Sequence, residues 1–107
     1  APCTRVREGW MPKGYWVAQV DVSDPEAYQR YREANAEAFA KYEARFLVRG
    51  GAQEAREGAP RARHVVLEFP SIEAARACYD SPEYQRAKAH RDGAAEADLV
   101  IVEGYQG

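Results

Sequence analysis

The clearest alternation of apolar and polar residues lies near the start of the chain, in residues 15–22. One face of this segment is apolar and comprises Trp16, Ala18, Val20 and Val22. The opposite face is more polar and comprises Tyr15, Val17, Gln19 and Asp21. A period of two residues is typical of a β-strand that has one face in a core. The pattern therefore predicts a first strand here.

A helix is predicted directly after this strand. The run Ser23-Asp24-Pro25-Glu26 offers a capping side chain, a proline at the first helical position and an early acidic residue. Apolar residues then recur at intervals of three and four, at Tyr28, Tyr31, Ala34, Ala38, Phe39 and Tyr42. Asn35 falls within this stripe, and a buried amide needs hydrogen-bond partners. Two interpretations stay open for Asn35: it caps a loop or strand end, or it contacts a substrate.

The remaining segments predict three more strands and two short helices. The strands are predicted over residues 45–49, 64–69 and 98–103, and the helices over residues 71–79 and 81–90. Ser71 and Ser81 provide the capping signals that start the two helices. The polar residues 52–62 predict a hairpin loop between the second and third strands.

The order strand-helix-strand-strand-helix-strand contains an internal repeat. A shift of 47 residues superposes residues 20–27 on residues 67–74, so that a strand end, an acidic residue, a helix cap and a Glu-Ala pair recur in register. Each half is therefore predicted to be one β-α-β unit, in the split βαβ arrangement of an α+β fold. We expect right-handed crossovers to place the first and third strands side by side and parallel in the centre of the sheet.

The third and fourth strands are almost continuously apolar. Residues 65–67 are followed by Phe69 in one strand, and residues 99–102 are all aliphatic in the other. Strands of this type are normally buried on both faces, whereas two helices on one face would leave the other face of the sheet open. We therefore expect a homodimer in which a second copy covers this face about a two-fold axis.

Composition and charge exclude several classes of protein. A chain of 107 residues with 46% hydrophobic residues is typical of one globular domain. A net charge of −2 argues against binding to nucleic-acid phosphates, and the third strand lacks the aromatic pattern of an RNA-recognition motif. No apolar run approaches the roughly 20 residues of a membrane span. Two cysteines make no disulfide framework, so we expect a cytoplasmic protein, and no spacing indicates a metal or a cofactor.

The first twelve residues form a separate N-terminal arm without periodicity. Met11 precedes Pro12 and the first strand, so we interpret it as a candidate natural start, with residues 1–10 upstream or vector-derived. In the alternative interpretation the arm docks on a partner, with Trp10 as its anchor.

Several sequence blocks in a fixed order resemble a known family. The blocks are Lys13-Gly14-Tyr15-Trp16-Val17, Asp24-Pro25-Glu26-Ala27-Tyr28, Phe46-Leu47-Val48-Arg49-Gly50-Gly51, Val66-Leu67-Glu68-Phe69-Pro70-Ser71, Tyr79-Asp80-Ser81-Pro82-Glu83-Tyr84 and Val102-Glu103-Gly104-Tyr105. Over residues 13–107 the chain resembles the DUF1330 family of small bacterial proteins of uncharacterised function. The resemblance implies a ferredoxin-like fold with a four-stranded antiparallel or mixed sheet, and a two-fold dimer that forms a dimeric α+β barrel. Relatives across this superfamily include cofactor-free monooxygenases, muconolactone isomerase-like enzymes and proteins with no known reaction.

Asp21 and Glu68 are the candidate catalytic residues. The repeat places them at equivalent points on neighbouring parallel strands, with Cα atoms expected about 5 Å apart. Two carboxylates at that separation would raise the pKa of one of them and suit it to proton transfer near neutral pH. In the alternative interpretation, Arg45 or Arg49 pairs with one or both acids in a structural ion pair.

Candidate ligand-binding residues are spread along the chain. Arg49 is the strongest candidate for holding a carboxylate or an enolate, because a guanidinium suits both groups. The other candidates are Asn35, His64, Tyr79, Tyr84 and Arg91. A glutamate four residues further along a strand lies about 13 Å away, so His64 cannot form a direct dyad with Glu68.

The sequence favours a homodimer with a small, partly aromatic pocket in or beside each sheet that binds a small organic molecule. Cofactor-free acid–base catalysis of the isomerase or monooxygenase type is the hypothesis for an enzyme. The alternative is a non-enzymatic dimeric binding or interaction module. A pocket with polar groups converging on empty space would favour ligand binding or catalysis. A barrel whose interior is filled with side chains would favour the non-enzymatic module.

Overall fold

Seven regular elements follow one another in the computed structural model, which describes residues 12–105. They are β1 (Gly14–Val22), α1 (Pro25–Lys41), β2 (Arg45–Arg49), β3 (Arg63–Phe69), α2 (Ile72–Asp80), α3 (Pro82–Arg91) and β4 (Ala95–Glu103). The predicted order of elements is confirmed. The N-terminal arm up to Met11, with Trp10 as its proposed anchor, lies outside the described residues.

Side-chain caps begin all three helices where the sequence predicts them. Asp24 accepts a hydrogen bond from the amide of Ala27 at the start of α1. Ser71 caps α2 in the same way. The Ser81 hydroxyl accepts from the Tyr84 amide and donates to the Cys78 carbonyl oxygen, so one residue ends α2 and begins α3. The cap at Ser81 thus fixes where Tyr84 enters the core.

The sheet has the strand order β2-β3-β1-β4, and every neighbouring pair is antiparallel. β1 and β3 are neighbours in the centre of the sheet, as predicted, but the prediction that they run parallel is wrong. Each β-α-β unit does join two parallel strands, but these are not adjacent. The loop between β2 and β3 reverses the chain, so that the central strands come from different units and run in opposite directions. The α+β ferredoxin-like fold itself is confirmed.

All three helices pack on one face of the sheet. Trp16, Leu67 and Phe69 of the strands share a single core with residues of every helix. Among residues 12–105, the largest fully buried side chains are Trp16, Tyr84, Phe69 and Cys78. The other face of the sheet, which we call the uncovered face, carries Val17, Val48, Val66, Val100 and Val102. In the described part of the chain, no helix is both long and apolar enough to cross a membrane.

Candidate functional site

A pocket opens between α1 and the sheet, on the side that the helices cover. About 490 Å³ in and in front of it is free of protein atoms, and this volume includes open solvent. Its walls are mainly aromatic and aliphatic and comprise Trp16, Ala18, Val20, Tyr28, Tyr31, Phe39, Phe46, Val65, Leu67, Ala97 and Leu99. The polar members of the lining are Arg32, Asn35, Arg49, Arg63 and Arg91. An apolar pocket with few polar groups is the usual form of a site for a small organic ligand.

A β-bulge in β2 brings Arg49 to this pocket. In the strand register Arg45 lies opposite Glu68, and after the bulge at Leu47 Arg49 lies opposite Val65. A one-residue insertion reverses the alternation of faces along a strand. Arg45 and Arg49 therefore point to opposite sides of the sheet, and the alternative in which Arg49 pairs with Glu68 or Asp21 is wrong.

Arg63 also lines the pocket, and its guanidinium packs closely against Gly50. Gly50 has a φ of 69°, and the Arg63 guanidinium fills the space that a side chain at Gly50 would need. Gly50 therefore makes room for the Arg63 side chain.

The pocket lining contains four guanidinium groups and no carboxylate. Three of them lie over aromatic rings: Arg49 is 4.0 Å from the ring centre of Phe46, and Arg63 and Arg91 lie over Tyr28 and Tyr31. Burial, together with repulsion from Arg32 and Arg63, lowers the pKa of Arg49 below its usual value. Among residues 12–105 none of the four makes a salt bridge. No carboxylate of the described residues therefore pairs with the positive charge of the pocket.

Three buried polar atoms of residues in the pocket lining have no hydrogen-bond partner among the described residues. Asn35 is only 3% exposed, and its Oδ1 has no hydrogen-bond partner among the described residues. The Nε atoms of Arg32 and Arg63 are also buried without a partner there. Buried polar atoms are normally hydrogen-bonded, so these atoms mark where a ligand would make contacts. Asn35 lies in the pocket lining. Of its two interpretations, contact with a substrate requires this position.

Two residues of the pocket wall, Tyr31 and Arg91, form a hydrogen-bonded series with Tyr84 behind them. The hydroxyl oxygens of Tyr31 and Tyr84 are 2.8 Å apart, and Arg91 Nη2 donates to the Tyr84 hydroxyl at 3.3 Å. Burial raises the pKa of Tyr84, so its phenol stays protonated. Tyr84 lies directly behind Tyr31, whereas Tyr79 packs in the core with its ring 5.7 Å from that of Trp16. Tyr79 is therefore outside the pocket.

The predicted pairing of Asp21 with Glu68 is wrong. In the antiparallel register Glu68 lies opposite Tyr15, whereas Asp21 lies opposite Glu96. Tyr15 and Asp21 are six positions apart along β1, a distance of about 20 Å. The two acids thus sit at opposite ends of the uncovered face, and neither lines the pocket.

Each acid has a structural partner on that face. Glu68 accepts a hydrogen bond from the Tyr15 hydroxyl at 2.9 Å. Asp21 accepts from the Ala62 amide and from Arg61, and Arg61 also binds Asp98. The hydrogen bond from the Ala62 amide, followed by the hydrogen bond and the charge of Arg61, lowers the pKa of Asp21. Asp21 is therefore ionised well below neutral pH and poorly suited to accept a proton there.

His64 also lies on the uncovered face, half-buried between the two acids, with its Nε2 in contact with the Gln53 side chain. Of the predicted ligand-binding residues, the structure thus brings together Asn35, Arg49 and Arg91, with Tyr84 behind them. His64 and Tyr79 lie elsewhere. Tyr31 and Arg63 line the pocket but were not singled out. The alternation of β3 carries a signal for Arg63, which lies two residues before Val65 on the same face.

The described residues hold no group of three histidine, cysteine or acidic side chains that is arranged to bind a metal ion. Cys78 is buried, and desolvation raises the pKa of its thiol to about 12. It is therefore an inert core side chain, as its place in an alanine-rich helix suggests.

A family model described as a domain of unknown function, DUF1330, matches residues 13–105. No protein with a curated description matches the chain. Among solved structures, a protein of unknown function from Rhodopseudomonas palustris superposes with a TM-score of 0.72 at 18% identity, covering 90% of this chain and 85% of that one.

Two further structures share the fold. SnoaB from Streptomyces nogalater, described as a cofactor-independent oxygenase, has a TM-score of 0.60 at 13% identity and covers 90% of this chain and 96% of its own. A dimeric ferredoxin-like protein of unknown function from Thermobifida fusca has a TM-score of 0.60 at 16% identity, covering 88% and 92%. At these identities the likeness concerns the fold alone.

Proposed function

The chain belongs to the DUF1330 family, and from that premise and the geometry of the pocket we propose that it binds a small organic anion with a flat apolar body. The observation that carries the proposal is a lining with four guanidinium groups, no carboxylate and several aromatic rings. The rings and aliphatic side chains would bury the body of the ligand. The guanidinium groups would hold its anionic end.

The charge distribution supports an anion over a neutral ligand. The whole chain has a net charge of −2, so the cluster of Arg32, Arg49 and Arg63 is a local excess of positive charge. Like charges at close range in a partly buried site repel each other. A bound carboxylate or enolate would relieve this repulsion and satisfy the buried Nε atoms of Arg32 and Arg63.

We extend the proposal to catalysis through the same groups. Cofactor-free isomerisation and oxygenation both pass through an enolate or a phenolate. Because the described lining holds no carboxylate or histidine to act as a base, solvent would take up the substrate proton, and guanidinium groups that point at the resulting oxyanion would stabilise it. SnoaB, described as a cofactor-independent oxygenase, is one precedent for this fold. The alternative is binding without turnover. Incubation with each bound anion, followed by product analysis, separates the two functions.

Titration calorimetry with benzoate and with neutral benzamide tests the proposed anion site. We expect benzoate alone to bind. Each of Arg49→Gln and Arg63→Gln should remove a charge-assisted contact of about 1.5–3 kcal/mol, so the affinity for benzoate should fall by about 10- to 100-fold. Arg76→Gln, which alters an exposed arginine of α2 outside the pocket, is the matched control. Equal affinity for benzoate and benzamide would refute the proposal.

We also propose that two copies associate through the uncovered face. Five valines lie there, and Val100 is 53% exposed. The structural neighbour from Thermobifida fusca is described as dimeric. A second copy would bury these valines, and apolar burial contributes roughly 25 cal/mol per Å².

Light scattering coupled to size exclusion at micromolar concentration should give the mass of a dimer. Val100→Asp places a charge on the uncovered face and should give monomers, because an unpaired buried charge is strongly unfavourable. Val22→Asp is the control: Val22 is a partly exposed valine on the helix-covered side of the same sheet. A monomeric mass for the unaltered chain would contradict the proposed dimer.

A further inference from the structure

We propose that Tyr31 is the hydrogen-bond donor that the pocket presents to a hydroxyl group of its ligand, with Asn35 as the acceptor beside it. This inference rests on the proposed function and narrows the ligand to a class, hydroxylated organic anions of the phenol or enol type. It follows from the direction of the hydrogen bonds in the chain Arg91–Tyr84–Tyr31.

The direction of these hydrogen bonds is fixed by burial. Tyr84 is fully buried, so its hydroxyl hydrogen needs an acceptor inside the protein. Among the described residues, the Tyr84 hydroxyl has two hydrogen-bond neighbours, the Arg91 guanidinium and the Tyr31 hydroxyl. A guanidinium only donates. Tyr84 must therefore donate to the Tyr31 oxygen, while it accepts from Arg91.

This direction leaves the hydrogen of Tyr31 unused. Tyr31 does not donate to Tyr84, and the described residues offer its hydroxyl no other acceptor, since Arg91, which also contacts it, only donates. Tyr31 lines the pocket, so a ligand there is the acceptor that we assign to this hydrogen. The charge of Arg91 polarises both phenols in the same sense, which strengthens the donor at the end of the chain. Tyr31 is thus prepared to donate to an oxygen atom that carries negative charge.

Asn35 completes the site from the next turn of α1. It is four residues after Tyr31, so the two residues lie on the same face of the helix. Its amide is buried in the pocket lining, and Oδ1 has no partner among the described residues. A hydroxyl group both accepts and donates, so it can accept from Tyr31 and donate to Asn35. Once ionised, it would accept from Tyr31, and from Asn35 if the amide turned its NH₂ group toward it.

The test compares benzoate with its three hydroxy isomers by titration calorimetry. We expect the best hydroxybenzoate to bind unaltered protein at least tenfold more tightly than benzoate. Tyr31→Phe should reduce this preference to less than twofold, with little change in the affinity for benzoate itself. Tyr79→Phe changes a tyrosine that touches Tyr84 but lies outside the pocket, and it should keep the full preference.

Tyr31→Phe leaves the buried Tyr84 hydroxyl without an acceptor, which disfavours folding. The double variant Tyr31→Phe/Tyr84→Phe removes both partners, so it is the form to use if the single variant does not fold, and it should show the same loss of preference. A preference that persists in either variant would overturn the role of Tyr31. Benzoate binding without any preference for a hydroxyl would overturn this inference alone, and failure of all four acids to bind would overturn the anion site with it.

Discussion

Replacement of Trp16 by alanine should lower the free energy of unfolding by about 3–5 kcal/mol. Trp16 is 1% exposed, and its ring packs against Phe39, Phe69 and Tyr84 at centroid distances of 5.4, 5.3 and 4.9 Å. Its Nε1 also donates to the Ala75 carbonyl oxygen at 2.9 Å, which ties the centre of the sheet to α2. A stability of 5–15 kcal/mol is typical of a domain, so this one change removes a large part of it.

Urea unfolding followed by circular dichroism measures the effect. Trp16→Phe separates packing from hydrogen bonding, because it keeps most of the ring and leaves the Ala75 carbonyl without its partner. We expect a loss of about 1–3 kcal/mol for this variant. Equal losses for the two variants would mean that the hydrogen bond, and not the aromatic packing, holds the core together.

Substitution of Gly14 by alanine should cost about 3 kcal/mol, the upper end of the range for overpacking. A Cβ atom at Gly14 would lie 2.4 Å from the Ser71 carbonyl oxygen and 2.5 Å from the Ile72 Cα. Both are backbone atoms at the start of α2, so relief requires the whole helix to shift. The shift would also disturb the cap that Ser71 makes to the Ala74 amide.

Gly51→Ala is the matched control for this prediction, because nothing lies within 4 Å of a Cβ there. Its thermal midpoint should stay within about 4 °C of the unaltered protein, since surface changes usually alter stability by less than about 0.5 kcal/mol. A Gly14→Ala protein as stable as Gly51→Ala would show that α2 does not rest against the start of β1.

Local signals in the sequence were sufficient for the elements and for most of their boundaries, although β4 begins at Ala95, three residues before the predicted start at Asp98. The period of two in residues 15–22 and the caps at Asp24, Ser71 and Ser81 all depend on neighbours in the chain, and the structure confirms each of them. Strand direction depends instead on which strands become neighbours. The repeat relates β1 to β3 as equivalent pieces of two units but contains no information on how the two units interleave. The pairing of Asp21 with Glu68 failed for this reason.

The pocket was predictable only in part, for a similar reason. Asn35 could be placed on the inner stripe of α1 because helical spacing fixes its face. Arg49 was chosen for its guanidinium group, but the side of the sheet on which it lies depends on the bulge at Leu47, a property of the pairing between β2 and β3. The free hydrogen of Tyr31 depends on Tyr84, which is 53 residues away in the chain.

The bulge in β2 also affects how relatives of this chain can be compared. A relative that lacks one residue between Phe46 and Val48 would have a regular strand, in which the arginine aligned with Arg49 faces away from the pocket. The two arginines would then be identical in the sequence alignment but would lie in different chemical environments. Conserved arginines should therefore be counted as equivalent only among sequences that retain the extra residue.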